Sequence, residues 1–318
     1  MVTASPLRIA YFGTPEFAVP TLRRLIDSRH RVIAVVSQPD RPRGRGHQLA
    51  PTSTKTVALE HGIDVLQPER IRDEQFLERL AALSPDLGVV AAYGKLLPEA
   101  LLRIPPLGLI NVHASLLPRW RGAAPVHRAV IAGDEVTGVT IMRVVKALDA
   151  GAMFAAQSRP IGPDETSPQV ESDLAVMGAR LLVDVVDLIA SGRATETPQD
   201  ETSVTLAPKI AKGEGAIDWH RPARALHNLI RGLQPWPLVS AHLEGERILL
   251  HASQPTEEIV DAAPGVITRA DGDTLAVAAG DRHTLRLLSI QREGRRAIST
   301  REFLAGRRIV PGMRLDNG

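Results

Sequence analysis

Three polar side chains in the first half of the sequence have the types and spacing needed to catalyse an acyl transfer. Asn111 and His113 are two residues apart in an apolar segment of strand length, so their side chains lie on the same face. An asparagine amide can donate a hydrogen bond to a developing oxyanion, and a histidine can donate to it or carry a proton. Asp149 follows a second strand-like segment, and its carboxylate could orient His113 and stabilise its charge.

Each of these residues also has an ordinary structural interpretation. A half-buried histidine beside a turn-forming asparagine is common, and an aspartate before Ala-Gly often only makes a turn. The prediction of an active site therefore depends on the three residues meeting in space.

The segments around these residues predict the elements that would position them. Helical patterns over 15–28, 53–61, 73–83 and 124–132 alternate with strand patterns over 7–12, 31–36, 87–91, 109–112 and 138–144. This alternation predicts an α/β fold with a doubly wound, mostly parallel, Rossmann-like sheet. Neighbouring parallel strands bring their carboxyl ends together, so we expect Asp149 to meet His113 at that edge.

The pattern of predicted secondary structure changes in the last third of the sequence. A helical pattern over 167–190 closes the first part, and the polar stretch that follows has no periodicity. Short alternating segments separated by turns then predict a small OB-like β-barrel. We therefore predict a catalytic domain over 1–190, a linker over 191–209 and a C-terminal barrel over 210–318.

Composition excludes several kinds of site. The chain has no cysteine, which excludes disulfides, a thiol nucleophile and thiolate-bound metals. It has no apolar stretch near ~18 residues and no secretory leader pattern, so we expect a cytoplasmic protein without membrane contact.

Basic residues are concentrated in two places although the net charge is only +2. Arg41, Arg43 and Arg45 share one short glycine-containing loop. Between residues 282 and 308 there are eight arginines and two glutamates. Such patches fit a polyanionic substrate, and a solvated surface is the alternative for either one.

The segment that holds Asn111 and His113 resembles a known family. Asn-x-His is followed by Ser-Leu-Leu-Pro and Arg-Gly-Ala-Ala-Pro, and then by a distant Leu-Asp-x-Gly. This combination is similar to the 10-formyltetrahydrofolate-dependent formyltransferases. The resemblance implies 10-formyltetrahydrofolate as the formyl donor, with no metal. It also implies catalytic roles for Asn111, His113 and Asp149, and a folate pocket that includes Ser115, Leu116, Leu117 and Pro118.

Four further segments resemble the members of this family that formylate initiator methionyl-tRNA. They begin at Phe12, Gln38, Val90 and Ala216, the last continuing in a second part from Ile230, and together they span most of the chain. The resemblance implies that Arg41, Arg43 and Arg45 contact the tRNA and that the C-terminal barrel helps to hold it. Such contacts would be made to phosphates and would be sensitive to salt. We expect a monomer.

The sequence departs from the family pattern at two places. His47-Gln48 replaces a more basic pair, which weakens the charge of the loop, and Ala152 stands where an acidic residue is common. Neither position belongs to the catalytic set.

Two alternatives belong to other classes of protein, and a third lies within the same family. A nicotinamide-dependent oxidoreductase would need Gly-x-Gly-x-x-Gly after the first strand, where this chain has Gly13-Thr-Pro-Glu-Phe-Ala. A non-enzymatic nucleic-acid-binding module would leave Asn111, His113 and Asp149 unexplained. A formyltransferase acting on a nucleotide amino sugar or a ribonucleotide amine stays open, although the purine-pathway members usually lack a C-terminal barrel.

Overall fold

The structure is a computed structural model that describes residues 5–43 and 48–317. The described residues form two compact units. The first unit comprises those of Met1–Pro125, Val136–Arg159 and Glu171–Ala207, and the second those of Val126–Glu135, Pro160–Val170 and Pro208–Gly318. Two internal segments thus belong with the C-terminal part of the chain. The domain boundaries at residues 190 and 210 stay a prediction.

The strands and helices are numbered in chain order. The strands are β1 (Arg8–Gly13), β2 (Arg31–Val36), β3 (Arg41–Arg43), β4 (Gln48–Ala50), β5 (Asp64–Leu66), β6 (Leu87–Ala91), β7 (Leu109–His113), β8 (Arg121–Gly122), β9 (Val136–Arg143), β10 (Met153–Pro160), β11 (Leu206–Ala207), β12 (Val239–Leu243), β13 (Glu246–Ile259), β14 (Ile267–Asp271), β15 (Thr274–Ala278), β16 (His283–Arg292), β17 (Ala297–Ser299) and β18 (Leu315–Asn317). The α-helices are α1 (Val19–Ile26), α2 (Ser53–Glu60), α3 (Glu74–Ala82), α4 (Glu99–Leu102), α5 (Pro125–Ala132), α6 (Ser167–Ala190), α7 (Ala223–Gly232) and α8 (Thr300–Ala305). Short 3-10 turns cover Glu16–Ala18, Glu201–Ser203 and Lys212–Gly215.

The first unit is built on a seven-stranded sheet in the order β10-β9-β7-β6-β1-β2-β5. The strand β1 is parallel to β2 and β6, β5 is parallel to β2, and β7 is parallel to β6. From the centre, the chain builds one side through β2 and β5, then returns to build the other through β6 and β7. The predicted doubly wound, mostly parallel sheet is confirmed.

The strands of this sheet form where apolar residues recur on both faces. One face carries a buried cluster from the strands and from α3 and α4: Ala10, Phe12, Ala34, Val36, Leu66, Phe76, Leu80, Leu101 and Leu109. Helices begin where a polar side chain caps the first turn. Thr52 caps α2 and Asp73 caps α3, each accepting a backbone N–H of that turn.

The second unit contains an antiparallel sheet in the order β14-β15-β16-β13-β12-β18, with β17 beside β16. The sheet curls until its ends meet: Ile267 N–H donates to the Met313 carbonyl at 2.8 Å, and Leu315 N–H to the Gly265 carbonyl at 2.8 Å. Gly265 has φ +85°, and a Cβ there would lie 2.6 Å from the Leu315 oxygen, so this junction requires glycine. The predicted OB-like barrel is confirmed as a curled antiparallel half-barrel.

One expectation about strand direction was wrong. The strand β9 runs antiparallel to β7, with His113 opposite Thr140 and Ile110 opposite Arg143. The carboxyl ends of the two strands therefore point in opposite directions, and parallel pairing does not bring Asp149 to His113. The chain also forms β10 beside β9, a strand that the apolar pattern had not indicated.

None of the helices in the described part of the chain is long and apolar enough to cross a membrane.

Candidate active site

Asn111 and His113 lie at the carboxyl end of β7, on the same face of the strand. Val112, between them, points to the other face, where Gly178 of α6 comes so close that a Cβ would lie 2.7 Å from a Val112 methyl. The helix α6 thus covers the face opposite the two polar residues. Asn111 is half-buried and makes no side-chain hydrogen bond to any residue that the structure describes.

The imidazole of His113 is 5% exposed and held at one nitrogen. Its Nε2 lies 3.0 Å from the Trp120 carbonyl oxygen, and because a carbonyl only accepts, Nε2 carries the hydrogen. Its Nδ1 lies 3.8 Å from Asp149 Oδ2, beyond hydrogen-bond distance. Within the described residues, Nδ1 is therefore the ring atom that is left for proton exchange.

Asp149 reaches His113 from a loop between β9 and β10. Its backbone has φ +49°, the left-handed conformation that aspartate tolerates better than most residues. Its Oδ2 accepts the N–H of Gly122 at 2.9 Å. Two residues later, a Cβ at Gly151 would lie 1.8 Å from the Arg143 carbonyl oxygen, so only glycine permits this tight loop. A loop conformation, and not a strand end, brings the carboxylate to the histidine.

The turn after His113 is fixed by hydrogen bonds to its own backbone. Ser115 Oγ donates to the Arg119 carbonyl at 2.7 Å. Thr140 Oγ1 donates to the Ser115 carbonyl at 2.8 Å and accepts Leu117 N–H at 3.1 Å. Ser115 and Leu117 are buried, whereas Leu116 and Pro118 are half-buried. The four residues expected in a folate pocket thus form an ordered turn directly beside the catalytic candidates.

The arginine loop begins at the carboxyl end of β2. Arg41 is exposed and has no ion pair with a described residue. Arg43 ends β3, and Arg45 lies outside the described residues. At the start of the loop, Lys55 pairs with Asp40, and Gln67 Nε2 donates to the Gln38 carbonyl at 2.9 Å. The hydrogen bond from Lys55, followed by that from Gln67, holds the pKa of Asp40 below its usual range.

The C-terminal arginine cluster is partly neutralised within the second unit. Five of the eight arginines pair with acidic side chains: Arg282, Arg286, Arg292, Arg296 and Arg307. Arg295, Arg301 and Arg308 are exposed and pair with no acidic residue of the described chain. Eight arginines and two glutamates give this stretch of sequence a net charge of +6. Because most of the arginines are paired, the charge that this surface offers to a ligand is smaller.

Nothing in the sequence analysis indicated that Gln199 belongs to this region. Gln199 comes from the stretch expected to be a linker, and its side chain donates to the backbone oxygen of Asp149 at 2.8 Å. The only local signal is a glutamine in a polar, aperiodic segment, which does not distinguish it from a surface residue. Its hydrogen-bond partners lie 48, 50 and 78 residues away in sequence.

A mostly parallel central sheet, Asn111 and His113 at the end of β7 with Asp149 beside them, and a half-barrel unit fit a group-transfer enzyme. The chain belongs to the formyl transferase family: the family model for formyl transferases matches residues 7–186, and the model for their C-terminal domain matches residues 209–308. The relatives with high identity are methionyl-tRNA formyltransferases. That of Methylococcus capsulatus is 46% identical, with 95% of this chain and 99% of that protein covered. That of Methylobacillus flagellatus is 46% identical, with 97% and 99% covered.

Solved structures with low identity share the fold. An N-formyltransferase from Helicobacter canadensis, in complex with folinic acid and dTDP-3-aminofucose, superposes with a TM-score of 0.68 at 15% identity, covering 90% of this chain and 99% of that one. HypX from Aquifex aeolicus, in complex with tetrahydrofolic acid, gives 0.63 at 15% identity, covering 94% and 47%.

Proposed function

We propose that this chain transfers the formyl group of 10-formyltetrahydrofolate to the free amino group of initiator methionyl-tRNA, for translation initiation. One observation carries the proposal. The chain that brings Asn111, His113 and Asp149 together is 46% identical to methionyl-tRNA formyltransferases over almost its whole length.

Asn111 is assigned to the formyl oxygen. When an amine adds to a formyl carbon, that oxygen gains negative charge, and a fixed N–H donor stabilises it more than it stabilises the starting carbonyl. The amide of Asn111 suits this role because it lies at the strand end and its donors are not used by the described residues.

His113 and Asp149 are assigned to the proton. The attacking amine must lose a proton and the departing nitrogen must gain one. Nδ1 of His113 can hold a proton between these events, because Nε2 keeps its own hydrogen on the Trp120 carbonyl. The Asp149 carboxylate, 3.8 Å away, stabilises the positive charge while the proton is there.

The turn Ser115–Pro118 is assigned to the folate. When bound, 10-formyltetrahydrofolate supplies an activated formyl group on a nitrogen that leaves readily once protonated. The partly exposed apolar surface of Leu116 and Pro118, beside the polar strand end, is chemically suited to the flat pterin ring.

The arginine loop and the C-terminal surface are assigned to the tRNA. Arg41, with Arg43 and Arg45, would contact phosphates near the acceptor end. Arg295, Arg301 and Arg308, which pair with no acidic side chain of the described residues, supply further positive charge on the second unit. A cytoplasmic location and a monomeric state remain predictions from the sequence.

A competition assay tests the acceptor. The purified protein is given formyl-labelled 10-formyltetrahydrofolate with charged initiator tRNA, with charged elongator tRNA, or with a dTDP-linked amino sugar. We expect label on initiator methionyl-tRNA at a rate far above that on the other acceptors. Faster labelling of the amino sugar would replace this proposal with the nucleotide-sugar alternative, and labelling of neither would refute both.

A further inference from the structure

The segment between α6 and β11 is part of the first unit and lies against the Asp149 loop. Thr197 and Met153 exchange both backbone hydrogen bonds, at 2.8 and 2.9 Å, which ties this segment to the start of β10. Two residues later, Gln199 is 9% exposed. A glutamine that is so well buried must satisfy both ends of its amide within the protein.

The Gln199 amide forms hydrogen bonds with the Asp149 loop and with the Arg121 side chain. Its Nε2 donates to the carbonyl oxygens of Asp149 and Gly151, both at 2.8 Å. Its Oε1 accepts Arg121 Nε at 2.9 Å. One side chain therefore connects the loop that carries the carboxylate to the segment that contains Arg121.

The position of Arg121 makes this connection relevant to both members of the histidine–aspartate pair. The preceding residue, Trp120, provides the carbonyl that holds His113 Nε2, and the following residue, Gly122, provides the N–H that holds Asp149 Oδ2. The guanidinium of Arg121 is buried and is held on its other side by Glu201, at 2.8 and 3.2 Å. The bond to Arg121 lowers the pKa of Glu201, so this anchor stays charged.

We propose that Gln199 is a positioning residue that fixes the Asp149 backbone, through Arg121 and the two loop carbonyls, so that the carboxylate faces His113. The inference rests on the proposed function of the His113–Asp149 pair. The left-handed conformation of Asp149, with φ +49°, is unfavourable for a residue with a side chain and persists where neighbouring contacts hold it. The two hydrogen bonds from Nε2 are such contacts.

The chemistry of the site distinguishes glutamine from its isosteres. A glutamate at position 199 could still accept from Arg121, but it has no N–H for the two carbonyls and would repel them. A methionine keeps the length and loses both the donors and the acceptor. Gln199→Glu therefore removes the hold on the Asp149 loop while leaving the contact to Arg121, and Gln199→Met removes both.

Kinetics provide the first test. We expect Gln199→Glu to lower kcat by about 10- to 100-fold, the range that a misplacement of about 1 Å produces, with KM for tRNA within about twofold of the parent. Gln157→Glu, the same change at an exposed glutamine on β10, is the matched control and should leave kcat unchanged. In an Asp149→Asn background, Gln199→Glu should cost little more, because two residues that act through one group are not additive. An independent, fully additive loss would overturn the proposal.

A spectroscopic readout separates this inference from the choice of acceptor. The imidazole nitrogen resonances of His113, identified by their loss in His113→Asn, report the partners of its ring. We expect Gln199→Glu to shift these resonances while those of His30, which is buried against Asp187, stay in place as an internal reference. Unchanged His113 resonances would refute the positioning role. If the variant shifts these resonances but the parent protein fails to formylate methionyl-tRNA, the proposed function is refuted and the positioning role stands.

Discussion

Nδ1 of His113 and Oδ2 of Asp149 face each other across 3.8 Å without a hydrogen bond. The Asp149 oxygen is instead occupied by the N–H of Gly122, at 2.9 Å. The two side chains therefore face each other without a direct hydrogen bond, and no described residue occupies Nδ1.

Asp149→Asn should separate the charge of the carboxylate from its shape. The amide oxygen can still accept from Gly122, so the loop should keep its conformation, but the negative charge beside His113 is lost. We expect kcat to fall by about 10²–10⁴-fold, the usual range for general acid–base groups. Steady-state kinetics give the loss, and an unchanged thermal unfolding midpoint excludes misfolding. A variant with more than a tenth of the parent kcat would contradict the assignment.

Asn111→Ala should remove the donor assigned to the formyl oxygen. Loss of one such donor typically costs about 10²–10³-fold in rate, and the half-buried position should tolerate alanine without unfolding. The measurement is kcat at saturating folate and tRNA, with circular dichroism as the check of folding. Near-full turnover would exclude Asn111 from the reaction.

Arg41→Ala and Arg45→Ala should weaken tRNA binding and leave the chemical step intact. Each lost phosphate contact should reduce the slope of log affinity against log salt by about one. Measurement of KM for tRNA across a range of salt concentrations provides the slope. Arg23→Ala, at an exposed arginine paired with Glu60, is a control for the loss of charge alone. An unchanged slope in both loop variants would remove the loop from the tRNA interface.

The C-terminal arginines should divide into two classes. Arg301→Ala with Arg308→Ala removes two exposed charges that have no acidic partner in the described chain, so we expect weaker tRNA binding at unchanged stability. Arg292→Ala breaks a 2.6 Å pair with Glu246 and should affect tRNA binding less. Filter binding and thermal unfolding of both proteins distinguish the classes. Equal losses of affinity would show that ion pairing does not select the contact residues.

The second unit should lose stability in mild acid through His227. Burial, aided by the charge of Arg231, lowers the pKa of His227 below its ordinary value of 6.5, against the opposing effects of the Pro163 carbonyl and Asp164. As pH falls through 6.5 the unfolded chain takes up the proton first, so stability is present above that pH and declines below it.

Urea unfolding of the parent and of His227→Gln at pH 8 and pH 5.5 measures this effect. We expect the midpoint to fall less in the variant than in the parent. His220→Gln, at an exposed histidine, is the control and should behave as the parent does. Equal pH dependence in all three proteins would contradict the assignment to His227.

The sequence predicted the sheet better than it predicted the site. Strands over 31–36 and 87–91 and the helix over 167–190 match the structure at both ends, because runs of apolar residues at fixed spacing are a local signal. The direction of β9 was missed, because an apolar strand pattern is the same when read in either direction. The strand direction appears only in its pairing with β7.

The active-site candidates were found by residue type, and their supports were not. Asn111 and His113 are two positions apart on one strand, so their spacing alone places them on the same face. Gln199 donates hydrogen bonds to Asp149 and Gly151, which precede it by 50 and 48 positions. The sequence around Gln199 contains no pattern that indicates these contacts. The left-handed φ of Asp149 is likewise set by tertiary bonds and by the close approach that Gly151 permits.

The position of Gln199 has a consequence for chimeric proteins. The first family model ends at residue 186 and the second begins at residue 209. Judged from these matches alone, a junction between the two would leave both family domains intact. A graft that joins at residue 190 would take the side chain at position 199 from the relative while keeping Asn111, His113 and Asp149 of this chain. The compact first unit extends to Ala207. Functional recombination between relatives should therefore lose activity at crossovers from Ser191 to Gln199 whenever the relative has a different side chain at position 199.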